Sequence, residues 1–251
     1  MSFFRTVYTL WIRQIKRSLR SRARLIGSLG QPLLFLIALG FGFGPIYAKA
    51  GGGNYIQFIA PGVIAMGILF NGVFSGIELI WDRQFGFLKE TLVAPVSRFA
   101  IMLGRTLGGA TMATIQGVIV FLLTLLVGFR PVSLSLIPVA ILFMFLIALL
   151  FSSLGHCIAT RLNDMQAFPI IMNFLIMPIF FLSGSLFPLK GLPRGIVIAA
   201  SLNPLSYGVD GLRSVLIDGA HFGLPLDFAV LIGVTLLFVS LGGYLFSRIQ
   251  I

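Results

Sequence analysis

Long apolar stretches without charged residues recur along the whole sequence and limit its possible folds more than any other feature. Each holds roughly the 20 residues that a helix needs to cross ~30 Å of hydrocarbon. Because 58% of the residues are hydrophobic and 10% are charged, the chain is far more apolar than a soluble domain. The six predicted spans are residues 27–47, 56–78, 106–129, 134–160, 165–187 and 228–247.

Ionisable side chains are almost absent from these stretches. Glu78 and His156 are the only acidic, basic or histidine residues within them, and each lies near one end. A helix satisfies its own backbone hydrogen bonds in hydrocarbon, whereas a barrel would need short segments of alternating hydrophobicity. We therefore predict an all-α integral membrane protein in which residues 1–251 form a single transmembrane domain.

The distribution of Lys and Arg predicts the orientation of the chain. An even number of spans leaves both termini on one side of the membrane, and cytoplasmic loops keep an excess of these cations. Thirteen of them lie on the side of the termini and five lie on the other side. We therefore expect a multi-pass protein of the cell (inner or plasma) membrane with both termini in the cytoplasm. The five outer cations are Lys49, Arg130, Lys190, Arg194 and Arg213.

Residues 1–26 precede the first span and have a helical periodicity of their own. Apolar residues recur at helical spacing, while most of the cations lie elsewhere around the helix. Such a helix lies in the membrane interface, with its cations among lipid head groups. Membrane lipids thus account for the formal charge of +11, and we predict no binding of nucleic acid. The apolar stripe consists of Phe4, Val7, Tyr8, Trp11, Ile15 and Leu19.

The sequence lacks the motifs of several enzyme classes. It contains no GxxxxGK[ST] loop to hold nucleotide phosphates, no GxSxG nucleophile elbow and no HExxH zinc motif. Its single cysteine, Cys157, excludes a disulfide framework and a cysteine-cluster metal site. The adjacent His156 points about 100° away from it on a helix, which makes a poor ligand pair. We predict no catalytic residue, no metal site and no cofactor bound by this chain.

Residues 82–98, between the second and third spans, combine charged and aromatic side chains. The apolar ones would form one face of a short amphipathic helix that ends at Pro95. Because this segment lies on the side of the termini, we expect a docking surface in the cytoplasm. Its apolar face would consist of Phe85, Phe87, Leu88 and Leu92.

The same segment resembles the cytoplasmic coupling loop of type 2 permease subunits of ATP-binding-cassette exporters, whose pattern is roughly E-R-E-x-G-T-L-E-x-L-x-x-[AT]-P-x-x-R. Asp82 replaces the first Glu of that pattern and Gln84 replaces the second. Phe87 and Lys89 stand in place of Thr and Glu. The matching positions are Arg83, Gly86, Leu88, Glu90, Leu92, Ala94, Pro95 and Arg98. The resemblance implies ATPase coupling by Asp82, Arg83, Gly86, Phe87, Leu88, Glu90, Leu92, Pro95 and Arg98.

Residues 188–227 separate the fifth and sixth spans and form the predicted extracytoplasmic segment. The fifteen residues 195–209 carry no charge, yet they are too few to cross the membrane. A re-entrant or interfacial pair of helices fits them, with a turn at Asn203-Pro204. Asp210 and Arg213 would then lie one helical turn apart, in reach of an ion pair.

This segment also resembles the type 2 permease family, in F-x-S-G-x-x-[FY]-P at 181–188, L-P at 192–193 and N-P-[LI]-x-Y-x-x-[DE]-x-x-R at 203–213. The resemblance implies an extracytoplasmic gate, and two roles stay open for it: a lid that seals the outside, or a direct part in solute release. The gate residues would be Pro188, Pro193, Asn203, Pro204, Tyr207, Asp210 and Arg213.

Small and weakly polar residues within the spans suggest how the helices pack and where a solute would pass. Glycines four residues apart let helices approach closely, within one chain or between subunits. The amide side chains of the predicted path would alternatively form hydrogen bonds between helices. The glycine pairs are Gly40/Gly44, Gly72/Gly76 and Gly104/Gly108. The predicted path consists of Phe70, Asn71, Phe74, Asn173, Met177 and Phe180.

The resemblance implies a permease that moves a drug, lipid, glycolipid or lipid-linked polysaccharide outward, as multidrug and lipid exporters do. ATP and Mg would be held by a separate ATPase subunit, expected in two copies, and the permease would pair with a second permease, as a homodimer. A stand-alone secondary transporter or channel is the alternative, and a membrane scaffold is a third. A secondary transporter would need ionisable groups at mid-membrane or an inverted repeat, and the sequence shows neither.

Overall fold

The computed structural model describes residues 2–51, 53–93, 95–162, 164–189 and 191–248. Two residues singled out above, Ala94 and Lys190, lie outside these ranges. Within them the chain is all-helical, as predicted, and contains no strand. The helices are α1 (Phe3–Arg20), α2 (Arg22–Lys49), α3 (Tyr55–Phe74), α4 (Ile77–Gln84), α5 (Phe87–Val93), α6 (Arg98–Leu126), α7 (Ile137–Ala159), α8 (Ala167–Phe181), α9 (Arg194–Leu202), α10 (Pro204–Ile217) and α11 (Leu224–Ser247).

Five helical stretches of the described chain are long and apolar enough to cross a membrane. Each coincides with one of the six predicted spans. The second of them combines α3 and α4, which are separated by a short turn at Ser75 and Gly76. The five stretches are Leu25–Lys49, Tyr55–Gln84, Arg98–Leu126, Leu134–Ala159 and Leu224–Ser247.

The predicted span 165–187 is not one long helix. Its helix, α8, has only 15 residues. At 1.5 Å per residue such a helix is about 22 Å long, which is shorter than the hydrocarbon layer. It ends at Phe181, and the next residues form turns in which Gly184 has a φ of +72°. The hydroxyl of Ser183 donates to the carbonyl of Phe180 at 2.7 Å, which satisfies an acceptor at the end of the helix.

Helix α3 is the centre of the bundle, since α2, α6, α7, α8 and α10 all pack against it. Its residues from Ile59 to Leu69 are buried on every side of the helix. Glycine permits the close contact with α7: a Cβ at Gly72 would lie 3.2 Å from the backbone nitrogen of Ser152, and one at Gly76 would overlap the carbonyl of Gly155. This glycine pair therefore packs within the chain.

Helix α1 lies along α6 with its polar residues inward. Thr6, Gln14 and Ser18 are its buried residues, whereas Phe4 is 82% exposed and Tyr8 is 61% exposed. The backbone of α1 contacts α6 at the second glycine pair, because a Cβ at Gly104 would lie 2.8 Å from the carbonyl oxygen of Val7. Part of the predicted apolar stripe, formed by Phe4, Tyr8 and Leu19, thus faces away from the bundle, where an interfacial helix would meet lipid. The rest of the stripe, Val7, Trp11 and Ile15, is half-buried.

The remaining glycine pair behaves differently. A Cβ at Gly40 would lie 3.0 Å from Ile56, but one at Gly44 would have no neighbour within 4 Å. This face of α2 is therefore open in the single chain, in keeping with the low burial of the whole helix.

Helices α9 and α10 form a pair that breaks at Asn203 and Pro204, as the turn signal predicts. The side-chain oxygen of Asn203 accepts a hydrogen bond from the backbone of Leu205 at 3.0 Å and caps α10, and Pro204 occupies its first turn. Helix α10 packs against α3, α7 and α11, so this segment is built into the bundle.

We predict that Gly155→Ala destabilises the protein, because its new Cβ would overlap the carbonyl of Val73. Overpacking of this kind costs about 1–3 kcal/mol. Thermal unfolding of the purified protein in detergent measures the effect. Gly233→Ala in α11, where a Cβ meets nothing within 4 Å, is the matched control and should not lower the melting temperature. Equal melting temperatures for the two variants would contradict the described contact of α3 with α7.

Candidate functional site

A cluster of charged side chains joins three helices at one end of the bundle. Asp82 of α4 is 2% exposed and binds two cations. Its Oδ1 accepts from Nη1 of Arg17 in α1 at 2.8 Å, and its Oδ2 lies 2.7 Å from Nη2 of Arg105 in α6. Both carboxylate oxygens therefore hold a guanidinium, which makes Asp82 a bridge between α1 and α6.

A second carboxylate extends this cluster by one helical turn. Glu78 precedes Asp82 by four residues and so lies on the same face of α4. Its Oε2 accepts a hydrogen bond from the side-chain amide of Gln14, and Nε of Arg17 lies 3.9 Å away. Glu78 and Asp82 balance Arg17 and Arg105, so the four formal charges of this cluster sum to zero. Paired charges are the form in which buried ionic groups are tolerated.

Sequence reasoning found only part of this cluster. The resemblance assigns Asp82 to contact with an ATPase, and the sequence marks Glu78 only as an ionisable residue near the end of a span. Arg17 and Arg105 were expected to be flanking cations, because periodicity does not identify a partner 65 residues away. One signal was available: Glu78 and Asp82 are two acids at i and i+4 in an apolar chain, and they require cations from elsewhere.

The segment from Trp81 to Val93 extends directly from this cluster. Helix α4 ends at Gln84, the chain turns at Gly86 with a φ of +82°, and α5 follows. A φ of this kind strongly favours glycine. Large apolar side chains are displayed here: Phe85 is 68% exposed, Phe87 49% and Val93 82%. The predicted apolar face is thus partly correct, because Leu88 is buried and holds α5 against the bundle.

Two arginines, one on each side of α5, bind backbone carbonyls at or just beyond the ends of other helices. Arg83 donates from Nη2 to the carbonyl of Thr160 at 3.0 Å and from Nη1 to that of Leu162 at 3.3 Å, both after α7. Arg98 donates to the carbonyl of Ser247, the last residue of α11, at 3.0 Å. Among the other residues assigned to coupling, Glu90 and Pro95 are exposed and Leu92 is half-buried.

The gate residues predicted at the other end of the bundle are held by backbone groups. The carboxylate of Asp210 accepts from the backbone N–H groups of His221 at 2.8 Å and Phe222 at 2.7 Å. Arg213 donates to the carbonyl of Gly184 at 3.0 Å, and its guanidinium lies 4.2 Å from the ring centre of Phe58. The predicted Asp210–Arg213 ion pair is therefore wrong, because each group binds other partners.

The guanidinium of Arg213 keeps its positive charge although it is buried. Burial lowers the pKa of its guanidinium to about 10, and the negative charge of Asp210 opposes part of that shift. A group with this pKa is protonated at neutral pH, so the hydrogen bond to Gly184 keeps a cationic donor.

The other gate residues fasten α9 and α10 to the bundle or mark turns. The Asn203 amide donates to the carbonyl of Ile179 in α8, and the Tyr207 hydroxyl donates to that of Ser201 at 2.8 Å. Pro188 and Pro193 are exposed and lie between α8 and α9.

The residues predicted to line a path are only partly brought together. Phe70, Asn71 and Phe74 line a groove of about 290 Å³ between α2 and α3. Asn71 donates to the carbonyl of Gly67 at 3.0 Å, so its printed hydrogen bond lies within α3 rather than between helices. Phe180 is 1% exposed and packs against Phe35 of α2, which makes it a core residue.

The other two path residues lie on the outer surface of α8. Asn173 is exposed and Met177 is 37% exposed, and neither lines the α2–α3 groove. His156 and Cys157 also lack a joint site, since Nδ1 of His156 pairs with the Ser152 carbonyl in its own helix and Cys157 donates to Phe238 of α11. The described residues contain no group of three potential metal ligands.

Comparison with known proteins finds one matching family model and several relatives of similar length. The family model described as "ABC-2 type transporter" matches residues 5–217. The putative transport permease ycf38 of Cyanophora paradoxa is 29% identical over 264 aligned positions, which cover 98% of this chain and 89% of that protein. The ycf38 protein of Pyropia yezoensis is 32% identical over 84% of this chain and 74% of its own length. Nodulation protein J of Rhizobium leguminosarum bv. trifolii is 30% identical, over 78% and 74% respectively.

We predict that Asp82→Asn costs about 3–5 kcal/mol of stability, because it leaves the buried Arg105 without its anion. The double variant Asp82→Asn/Arg105→Met should recover more than half of that loss, since the stranded charge is removed. Asp164→Asn, at an exposed carboxylate, should change stability by less than about 0.5 kcal/mol. Chemical unfolding in detergent measures all three. Additive losses in the double variant would show that Asp82 and Arg105 do not interact.

Proposed function

Because this chain belongs to the ABC-2 type transporter family, we propose that it is the membrane-spanning subunit of an exporter driven by ATP hydrolysis on a separate chain. The observation that carries the proposal is the α4–α5 segment, an exposed apolar surface rooted in a buried ionic cluster. The chain itself contains no phosphate-binding loop, so ATP and Mg belong to the partner ATPase.

The exposed part of the segment has the composition of a docking surface. Phe85 and Phe87 present aromatic rings, and Lys89 and Glu90 are exposed beside them. Aromatic side chains in the centre of an interface provide much of its binding energy, whereas rim charges set orientation. We infer that an ATPase subunit covers the two rings and that its movement displaces α5.

The contacts of α4 offer a route for that movement. A displacement of α4 acts on α1 through Arg17 and on α6 through Arg105, since Asp82 holds both. Arg83 links the same helix to the end of α7, and Arg98 links the start of α6 to the end of α11. Nucleotide binding can shift the permease only if these contacts differ in free energy between its two states.

The proposal includes an assembly of two such permeases, as a homodimer, with two ATPase copies. Gly44 of α2 supports it, because a Cβ there would meet nothing within 4 Å and a helix of a second subunit could approach closely at this point. We further propose six crossings, with both termini in the cytoplasm and the α9–α10 pair as the extracytoplasmic gate. The solute is amphipathic or lipid-like, in the class of drugs, lipids and lipid-linked glycans, and it passes from the cytoplasm or inner leaflet to the outside.

Replacing the two exposed rings tests the docking surface. Phe85→Ala/Phe87→Ala should lower the amount of ATPase that co-purifies with the permease more than tenfold, because aromatic anchors contribute about 2 kcal/mol or more each. Quantitative mass spectrometry of permease purified in mild detergent measures the ratio. The melting temperature of the permease should not change, since both rings are exposed.

The matched control removes two exposed apolar side chains elsewhere. Leu236→Ala/Leu237→Ala in α11 should retain the ATPase at the wild-type ratio. If the phenylalanine variant also retains it fully, the α4–α5 segment is not the docking surface. If no ATPase accompanies the wild-type chain and it still moves solute, the stand-alone transporter is correct.

Cysteine labelling tests the six crossings in a Cys157→Ala background. Gln84→Cys and Asp164→Cys should react with a membrane-impermeant maleimide only from the cytoplasm, and Ser135→Cys and Gly195→Cys only from outside. All four positions are exposed. Comparison of Asp164→Cys with Gly195→Cys shows whether α8 and the turns after it cross the membrane, because these two positions flank them. Reaction of both from one side would leave five crossings and refute the proposed topology.

A further inference from the structure

The break between α3 and α4 lies where three helices meet. Ser75 and Gly76 form this break, and hydrogen bonds between residues three positions apart replace the usual helical ones. The N–H of Gly76 donates to the carbonyl of Val73, and the N–H of Leu79 donates to the carbonyl of Gly76, each at 3.0 Å. A tight turn of this kind at a Ser-Gly pair is a recurrent place for a long helix to bend. Because α4 carries both acids of the ionic cluster, a bend here moves that cluster relative to α3.

The hydroxyl oxygens of Ser75 and Ser152 lie 3.0 Å apart beside this break. The Ser75 hydroxyl is also 2.6 Å from the carbonyl oxygen of Gly72 in α3, and the Ser152 hydroxyl is 3.1 Å from that of Thr106 in α6. Gly109 of α6 makes room for both side chains, since a Cβ there would overlap the two hydroxyl oxygens. Ser152 of α7 therefore contacts α3 and α6 at the same point.

These three contacts share two hydroxyl protons. A serine hydroxyl donates one hydrogen bond at a time. When Ser152 donates to Thr106, α7 holds α6, and Ser75 donates to Gly72 or to Ser152. When Ser152 donates to Ser75 instead, the bond to Thr106 is released and Ser75 donates to Gly72. Each pattern contains two hydrogen bonds, so α6 can be released from α7 without a net loss of hydrogen bonds.

The contact with α6 is next to the ionic cluster. Thr106 directly follows Arg105, whose Nη2 lies 2.7 Å from Oδ2 of Asp82. A displacement of Asp82 therefore acts on the turn of α6 whose carbonyl accepts from Ser152. A cavity of about 70 Å³ beside Ser75 leaves space for such a movement, which a close-packed interior would resist.

We propose that Ser152 is a positioning residue that transmits the movement of α4 and α6 to α7, by exchanging its hydrogen bond between Thr106 and Ser75 as the α3–α4 break bends. This inference rests on the exporter function proposed above and names the internal contact through which the ATPase acts on the centre of the bundle. It holds for any transported solute.

A disulfide at the two serine positions tests the proposal. In a Cys157→Ala background, Ser75→Cys/Ser152→Cys places two sulfurs where the oxygens lie 3.0 Å apart, within reach of a disulfide. Copper phenanthroline oxidises the permease–ATPase complex, peptide mass spectrometry detects the bond, and phosphate release from Mg-ATP measures hydrolysis. The bond should lower hydrolysis by at least about tenfold, within the range of known coupling between sites, and dithiothreitol should restore it. The single variants Ser75→Cys and Ser152→Cys should not respond to the oxidant.

Alanine at two neighbouring serines gives a second test without a cross-link. Ser152→Ala removes the exchanging hydroxyl and should lower hydrolysis per bound ATPase by about threefold or more, the scale on which residues of a coupling network act. Ser153→Ala is the matched control, because Ser153 is equally buried and its hydroxyl donates to the carbonyl of Leu150 in the same helix at 2.7 Å. This control should hydrolyse ATP at the wild-type rate. Both variants should retain the ATPase and melt at similar temperatures, since each loses one buried hydroxyl.

The outcomes separate this proposal from the exporter function. Hydrolysis that persists after the disulfide has formed, or equal rates for Ser152→Ala and Ser153→Ala, overturns the role of Ser152 and leaves the exporter function standing. Absence of the disulfide after oxidation overturns the contact of α3 with α7 that the proposal requires. If the cysteine pair prevents folding, the alanine comparison decides alone. A wild-type permease that binds no ATPase refutes the exporter function and, with it, the transmission through Ser152.

Discussion

Asp82 is the residue on which the structure of the α4 end of the bundle depends. Moving a carboxylate out of water costs several kcal/mol, and only well-placed cations offset that cost. Arg17 and Arg105 satisfy this requirement from two helices that are otherwise in contact through glycine backbones. One anion therefore fixes the position of α1 along α6 and the angle at which α4 leaves the bundle. Asp82 therefore also determines where the exposed rings of Phe85 and Phe87 lie.

Buried charges are stabilised by different partners at the two ends of the bundle. At the end with α4, carboxylates and guanidiniums pair with each other. At the other end, Asp210 takes backbone N–H groups and Arg213 takes backbone carbonyls, so the charged groups fasten loops rather than helices. Ion pairs between helices can exchange partners when helices shift, whereas backbone contacts hold a turn in one shape. This difference fits the proposed function, in which an ATPase moves the first end and the second end closes the path.

Sequence reasoning recovered the elements better than their contacts. Apolar length predicted five of the long helices, and Asn203-Pro204 predicted the break between α9 and α10, because both signals are local. It misplaced the end of α8, where Ser183 and Gly184 stop a helix that hydrophobicity alone would continue.

Partners distant in sequence were the harder part of the site. The expected pairing of Asp210 with Arg213 is worth only about 0–1 kcal/mol on a surface, and several buried backbone groups outcompete it. Arg17 and Arg105 became site residues only when the fold placed them beside Asp82. Phe180, expected on a path, is a core residue because α2 covers it.

The inward polar face of helix α1 indicates when this helix docks during assembly of the protein. It is synthesised before its partners, because Gln14, Arg17 and Trp11 bind residues that follow by 64, 65 and 100 positions. Domains fold as their parts emerge, so the early helix has no protein partner for its polar side. The membrane surface can accept its apolar stripe in the meantime and leave that polar side in water. Final docking of α1 is then a late step of biogenesis, completed when α4 and α6 arrive.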